Sequence, residues 1–230
     1  MTGGFSTRLA AIHARIAEAA ARAGRDPGAI TLLAVSKTFP AERVREAVAQ
    51  GIMLFGESRV QEALPKMDDV GPGAAWHLIG HLQKNKVAKA VGRFALIHSV
   101  DSIELARRMD RLAGEAGVRQ PVLVQVNVSR EAQKHGFPPE RTAAVVAELS
   151  ALPHLEIKGL MGMAPKGDGP ESARPAFADL KALFDAIAQD APKGVTMETL
   201  SMGMSGDFEI AIEEGATLVR VGGALFGERE

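Results

Sequence analysis

Lys37 stands where an amine can do chemistry. It falls in the run LLAVSKTFP, residues 32–40, where four apolar residues lead straight into Ser36, Lys37 and Thr38. A lysine at the end of a buried strand is costly unless its amine has a task there; the plainer alternative is that it emerges into water. To attack a carbonyl the amine must shed its proton, which burial or a neighbouring cation favours. A second kind of chemistry sits late in the chain. LSMGMSGDF, residues 200–208, reads as a strand, a small-residue loop and a helix start. The Ser201 and Ser205 hydroxyls and the loop's backbone N–H groups suit a phosphate. VRVGGALFG, residues 219–227, adds a turn with Gly222 and Gly223, with Arg220 just before it. Either loop alone reads equally well as a tight turn; together they point to a phosphate cradle. An amine on one side and a phosphate cradle on the other are the two anchors of pyridoxal 5′-phosphate, and a phosphosugar enzyme could use the same pair. Arg220 is open to three roles: phosphate ligand, salt-bridge partner, or partner for a ring nitrogen.

Positioning these groups requires a particular frame. Residues 5–23 read as a helix, with Leu9, Ile12 and Ile16 on one face, Ser6 as its cap and Gly24 as its end. Strands are expected at 30–35, 52–55, 76–79, 96–100, 122–128, 157–163, 196–202 and 218–221. Helices are expected between them, from Pro40, from about 56, over 82–91, over 102–116, near 139–151, around Phe177 to Ile187 and over 207–214, with 65–75 as a loop. Strand and helix alternate with no composition break. The expectation is an α/β protein, a single (β/α)8 TIM-like barrel with an extra N-terminal helix, forming one domain over 1–230. The competing doubly wound sheet places its phosphate-binding turn after the first strand, and SKTFP contains no glycine there.

In such a barrel the site lies at the C-terminal ends of the strands, with phosphate at the loops after strands seven and eight. Those ends carry Lys37, Glu57, His81, Asp101, Asn127, the 161–165 segment, 201–205 and 220–223. Hydrophobic residues make up 46% and charged residues 24%, with a net charge of −1, so nothing global draws the chain to nucleic acid or an anionic membrane. No apolar run approaches the ~20 residues of a bilayer span, and no signal-peptide core opens the sequence, so a cytoplasmic location is expected. There is no cysteine, which excludes disulfides and thiolate chemistry, and no tyrosine.

The motifs AVSKTFP, FGESRVQE, WHLIGHLQKNK, VNVSREAQKHGF, GLMGMAP, LSMGMSGDF and VRVGGALFG occur in this order from the first helix to Gly227. In them the sequence resembles the pyridoxal phosphate homeostasis proteins of the YggS/PROSC type. The resemblance implies the barrel that also occurs in alanine racemases, without their second β-domain. It implies that Lys37 holds pyridoxal 5′-phosphate as a Schiff base. Ser205 would bind the phosphate, helped by Ser201, with Gly222 and Gly223 binding it through backbone N–H groups. Arg220 would face the pyridine nitrogen, which makes the ring a weaker electron sink than a carboxylate partner would. Two departures stand out: Ser58 and Arg59 replace the usual asparagine and its neighbour after the second strand, and Phe39 follows SKT where lysine is frequent.

The expected role is storage, buffering or delivery of the cofactor, without catalysis, by a monomer whose partners are the cofactor and apo-enzymes that need it. The alternative is an amino-acid racemase-like enzyme; a two-base racemase of the alanine type needs a tyrosine opposite the lysine. His77 and His81 have metal-binding spacing on a helix, but HLIGH lies on a strand, so no metal site is expected. His98, close to a strand end, and His135 read as polar liners, with Lys134 and His135 in reach of the cofactor edge. Met161, Met163, Met202 and Met204 read as ring contacts or barrel filling.

Overall fold

A computed structural model of the chain describes residues 4–131 and 133–227; the remaining positions of the 1–230 domain expected from the sequence lie outside the described residues. Helix α1 (Phe5–Arg22) comes first. Eight strand–helix units follow: β1 (Thr31–Val35) and α2 (Ala41–Ala49), β2 (Leu54–Glu57) and α3 (Val60–Val70), β3 (Ala75–Leu78) and α4 (Val87–Ala90), β4 (Leu96–Val100) and α5 (Ile103–Glu115), β5 (Gln120–Val126) and α6 (Pro139–Leu149), β6 (Leu155–Gly162) and α7 (Arg174–Gln189), β7 (Thr199–Ser201) and α8 (Phe208–Glu213), β8 (Leu218–Val221) and α9 (Gly223–Phe226). Each strand pairs in parallel with the next, and β8 closes on β1 with Leu33 opposite Arg220. This is the closed (β/α)8 barrel.

The main core lies between the strands and the helix ring, and takes in Ile97, Val122, Val124, Leu160, Phe177 and Phe208. A separate small cluster of Leu96, Leu123 and Met161 shares strand faces with the polar residues His98 and Gln125. The alternation of side chains along a strand sends these residues to the opposite side from Ile97 and Val124, into the lumen. Helix α1 packs along α8 and α9 on the outside. Arg25 donates to the carbonyls of Ile212 (2.5 Å) and Ala216 (2.8 Å), and Phe5 meets Phe226 at a ring-centroid distance of 5.5 Å.

Several boundaries differ from the sequence expectation. Ser6 does not cap α1; the cap position is Gly4, with no side-chain hydrogen bond. Strand β2 sits two residues later than expected, because Gly56 is a packing glycine inside the strand, where a Cβ would come within 3.1 Å of Leu33. That shift makes Glu57 part of the barrel wall. The expected 65–75 loop is in large part helix: α3 runs through Pro65, whose ring faces solvent while Ala63, Lys66 and Met67 are buried. Burial of that face outweighs one lost backbone bond. Conversely, 82–91 forms only a turn of 3-10 helix (Lys84–Lys86) and the short α4. Strand β7 is confined to three residues.

Candidate functional site

Strand β1 leads into Ser36, and the chain then turns sharply. The Phe39 N–H donates to the Ser36 carbonyl (3.1 Å), and Thr38 adopts φ +70°, the left-handed region that a β-branched residue enters only under strain. The same Ser36 carbonyl accepts from Lys66 Nζ (2.9 Å). Lys66 also meets Glu57 Oε1 at 2.5 Å, and Ser36 Oγ donates to that oxygen at 2.7 Å. Ser36, Glu57 and Lys66 are all buried. A buried ion pair thus clamps the turn from below, and the turn holds Lys37 above it, half-buried. Among the described residues the Lys37 amine has no hydrogen bond and no ion pair.

Across the mouth, β7 and β8 deliver the small-residue loops. Gly203 lies at φ +87°, and a Cβ there would sit 2.5 Å from that of Ala211; this close approach sets the loop on α8. The Arg220 N–H donates to the Gly203 carbonyl (3.0 Å), tying the two loops together. The Met204 N–H donates to Asp207 Oδ1 (2.6 Å), and the Gly222 N–H donates to Ser205 Oγ (3.3 Å). Burial holds the Asp207 carboxyl above its usual range.

The Arg220 guanidinium is buried. Nη1 donates to the carbonyl (2.8 Å) and the hydroxyl (2.7 Å) of Ser201, and Nη2 to the carbonyl of Gly162 (3.1 Å). Ser201 Oγ lies 3.0 Å from His98 Nδ1, and His98 Nε2 lies 3.0 Å from His77 Nδ1. A polar chain therefore runs through the lumen from Arg220 to His77. Burial pushes Arg220 down to about 10 and His77 down to about 4. His98 is pushed well below the histidine range, by burial first and then by His77 and Arg220. Both imidazoles are neutral at pH 7.

These elements enclose a cavity of about 260 Å³. Lys37, Ser205, Gly206, Arg220, Gly222 and Gly223 line it, with Val35, Phe39, Ile79 and Met204 as its apolar walls. Of the residues singled out from the sequence, Lys37, Ser205, Arg220, Gly222 and Gly223 thus converge. Ser201 is fully buried and absent from the lining; its hydroxyl is taken up by Arg220 and His98. His77 and His98 lie in the lumen, not at the mouth. Met204 reaches the cavity, whereas Met161 fills the barrel. Sequence reasoning passed over Lys66, Asp207 and the Arg220–His77 chain. An aspartate closing the SMGMSGD loop was the one available signal for Asp207.

Residues 7–230 match the sequence model of the family described as alanine racemase, N-terminal domain. A pyridoxal phosphate homeostasis protein of Aquifex aeolicus is 42% identical over 224 residues, covering 97% of each chain. The chain belongs to this family. PipY of Synechococcus elongatus PCC7942, solved with pyridoxal 5′-phosphate bound, superposes with a TM-score of 0.84 at 40% identity, over 97% of this chain and 100% of that one. An alanine racemase of Clostridium difficile shares the fold, with a TM-score of 0.70 at 18% identity, over 86% of this chain and 51% of the racemase.

The residues present fit the family's cofactor. Added Cβ atoms at Gly206 and Gly223 would meet nothing within 4 Å, so both backbones border open space. Among the described residues, the N–H groups of Ser205, Gly206 and Gly223 donate to no protein acceptor. An anion in the cavity would satisfy them. The volume suits one small ring with a phosphate tail, near the lower bound of ~300 Å³ for ligand pockets.

Proposed function

We propose that this chain binds pyridoxal 5′-phosphate in the Lys37 cavity and serves its homeostasis by storing, buffering or delivering it. The observation that carries the reading is a partnerless amine facing a cavity whose far side offers free N–H groups and a serine hydroxyl. The cofactor supplies an aldehyde that a lysine amine captures reversibly. Lys37 Nζ is the capturing group, held in place by the clamped turn beneath it. Ser205 and the N–H groups of Gly206, Gly222 and Gly223 hold the phosphate. Gly222 releases Ser205 Oγ to do so, and Ser201 acts by orienting Arg220. Arg220 keeps its proton, so it donates toward the ring nitrogen and leaves that nitrogen unprotonated. Met204, Ile79 and Val35 pack against the ring.

Among the described residues the lining places no second acid–base group opposite Lys37, which favours reversible holding over racemisation. The whole of 1–230 then works as one cofactor-binding barrel domain, monomeric and cytoplasmic, with apo-enzymes as recipients. No described helix is long and apolar enough to cross a membrane. The test is the visible absorbance of the purified protein, followed by borohydride reduction and peptide mapping. The label is expected on Lys37 and lost in Lys37→Ala. Label on another lysine overturns the assignment. Loaded protein mixed with a cofactor-requiring apo-enzyme should activate it, and sustained racemisation of L-amino acids above the Lys37→Ala level would overturn the carrier role.

A further inference from the structure

We propose that His81, Asp101 and His135 form a binding site for a divalent transition-metal ion on the rim of the barrel, beside the Lys37 cavity. The three residues follow β3, β4 and β5, so they converge from separate strand ends. His81 Nδ1 lies 2.8 Å and His135 Nδ1 3.3 Å from the same oxygen, Asp101 Oδ2. All three ligand atoms lie within 4.8 Å of one another. Tetrahedral zinc with bonds of ~2.0–2.1 Å to nitrogen and oxygen sets its ligands ~3.4 Å apart, so small side-chain movements would admit the ion.

The electrostatics favour a cation here. The Asp101 side chain is only 7% exposed. Among the described residues no lysine or arginine pairs with it; only the two imidazoles do. A nearly buried carboxylate without a permanent cation is costly, and a metal ion would supply the missing charge. Two imidazole nitrogens and one carboxylate oxygen select zinc, cobalt, nickel or copper over magnesium and calcium. Three protein ligands leave at least one position open to water.

The geometry is held in place while the ligands keep room to adjust. A Cβ on Gly80 would strike the Ser58 carbonyl at 2.2 Å, so the backbone before His81 is pressed against β2's exit. The carbonyl of His135 accepts from Gln125 Nε2 (3.1 Å), and Asn127 Nδ2 donates to the Glu131 carbonyl (2.9 Å), which ties down the loop. The two imidazoles stack at 4.0 Å with planes 13° apart, so both present Nδ1 to Asp101. Their side chains are 41% and 57% exposed, free to tilt onto an incoming ion. Ile79, two residues before His81, lines the Lys37 cavity, so both sites open on the same face.

The competing account is a hydrogen-bonded clasp that only fixes the loop after β5. Untagged full-length protein, titrated with Co²⁺ by visible absorption and with Zn²⁺ by calorimetry, separates the two. The site predicts saturable binding of a single ion per chain, with ligand-field bands under Co²⁺. His81→Ala and His135→Ala should each weaken binding by at least the ~10–100-fold that even outer-shell losses cost. Both positions are exposed, so both variants should keep the wild-type far-ultraviolet dichroism. His154 lies 3.4 Å from the single carboxylate of Asp110, and His154→Ala should leave binding unchanged. Absence of saturable binding overturns the proposal, and so does binding that survives in the His81→Ala/His135→Ala double variant. Neither readout depends on the cofactor reading.

Discussion

Two buried cations lie beneath the mouth of the barrel, and they are treated in opposite ways. Lys66 meets the fully buried Glu57 at 2.5 Å, and its remaining reach goes to the Ser36 carbonyl. Arg220 is also buried, yet its Nη1 and Nη2 donate to neutral acceptors, Ser201 and Gly162. Its nearest electrostatic support is Asp207, which acts at longer range. A paired charge is neutralised where it stands, so Lys66 can hold a turn and little else. A charge solvated by neutral dipoles keeps its field, so Arg220 remains available to a ligand. The first cation is structural and the second faces the cavity.

The largest effect expected from this contrast is on the paired side. Glu57→Gln strands the Lys66 ammonium in the barrel wall and should cost ~3–5 kcal/mol of stability in urea unfolding. Lys66→Met should cost a similar amount, and the double variant should recover most of the loss. Single losses below about 1 kcal/mol would dissolve the distinction between the two cations.

Acid should act on the Arg220 side. The folded-state value of His77 is lowered from the usual 6.5 to about 4, so between those values the unfolded chain binds more protons. Stability therefore rises with pH across that window and is lost as pH falls from about 6.5 to about 4, by about 3 kcal/mol. His98 shifts in the same direction. Chemical denaturation at a series of pH values should show this slope, reduced in His77→Gln. An unchanged slope in the variant would mean that the lumen histidines do not set the acid limit.

Arg220→Gln should have a smaller effect on folding. It loses hydrogen bonds of ~0.5–1.5 kcal/mol each but also removes a buried charge, for a net cost of about 1–2 kcal/mol. Cofactor affinity, read from absorbance titration, should drop by about tenfold or more, since about 1.4 kcal/mol already corresponds to tenfold. A large stability loss with unchanged affinity would put Arg220 in the same class as Lys66.

What the sequence made legible follows from which patterns are local. Alternating apolar runs and helical faces gave the barrel, and β4 and β8 lie where the pattern places them. Strand ends gave Lys37, Ser205, Arg220, Gly222 and Gly223, because in a closed barrel every strand end faces one mouth. The clamp was hidden because Lys66 falls in the 65–75 stretch expected as a loop, although an exposed proline costs little once the opposite face is buried. Gly56 misled in the same way, through a contact with Leu33 from another strand. Ser201 shows the limit of parity: alternation turns its side chain toward the lumen but does not say how far below the mouth it lies, and there Arg220 and His98 take up its hydroxyl. The meeting of His81, Asp101 and His135 depends on three strand ends at once, which no single stretch records.

The smallest effect concerns the turn itself. Thr38 at φ +70° stores strain of ~1–3 kcal/mol, and Thr38→Gly relieves it while loosening the unfolded chain by ~0.4–1 kcal/mol. A net gain of about 1 kcal/mol is expected. Lys66 and Phe39 both bond the Ser36 carbonyl, so clamp and turn share one acceptor. If the clamp exists to hold the strained turn, Lys66→Met should cost less in the Thr38→Gly background than in the wild type. Additivity to within ~0.3–0.5 kcal/mol would show instead that the ion pair serves the barrel wall alone, and that Lys37 owes its position to the turn without help from the charge beneath it.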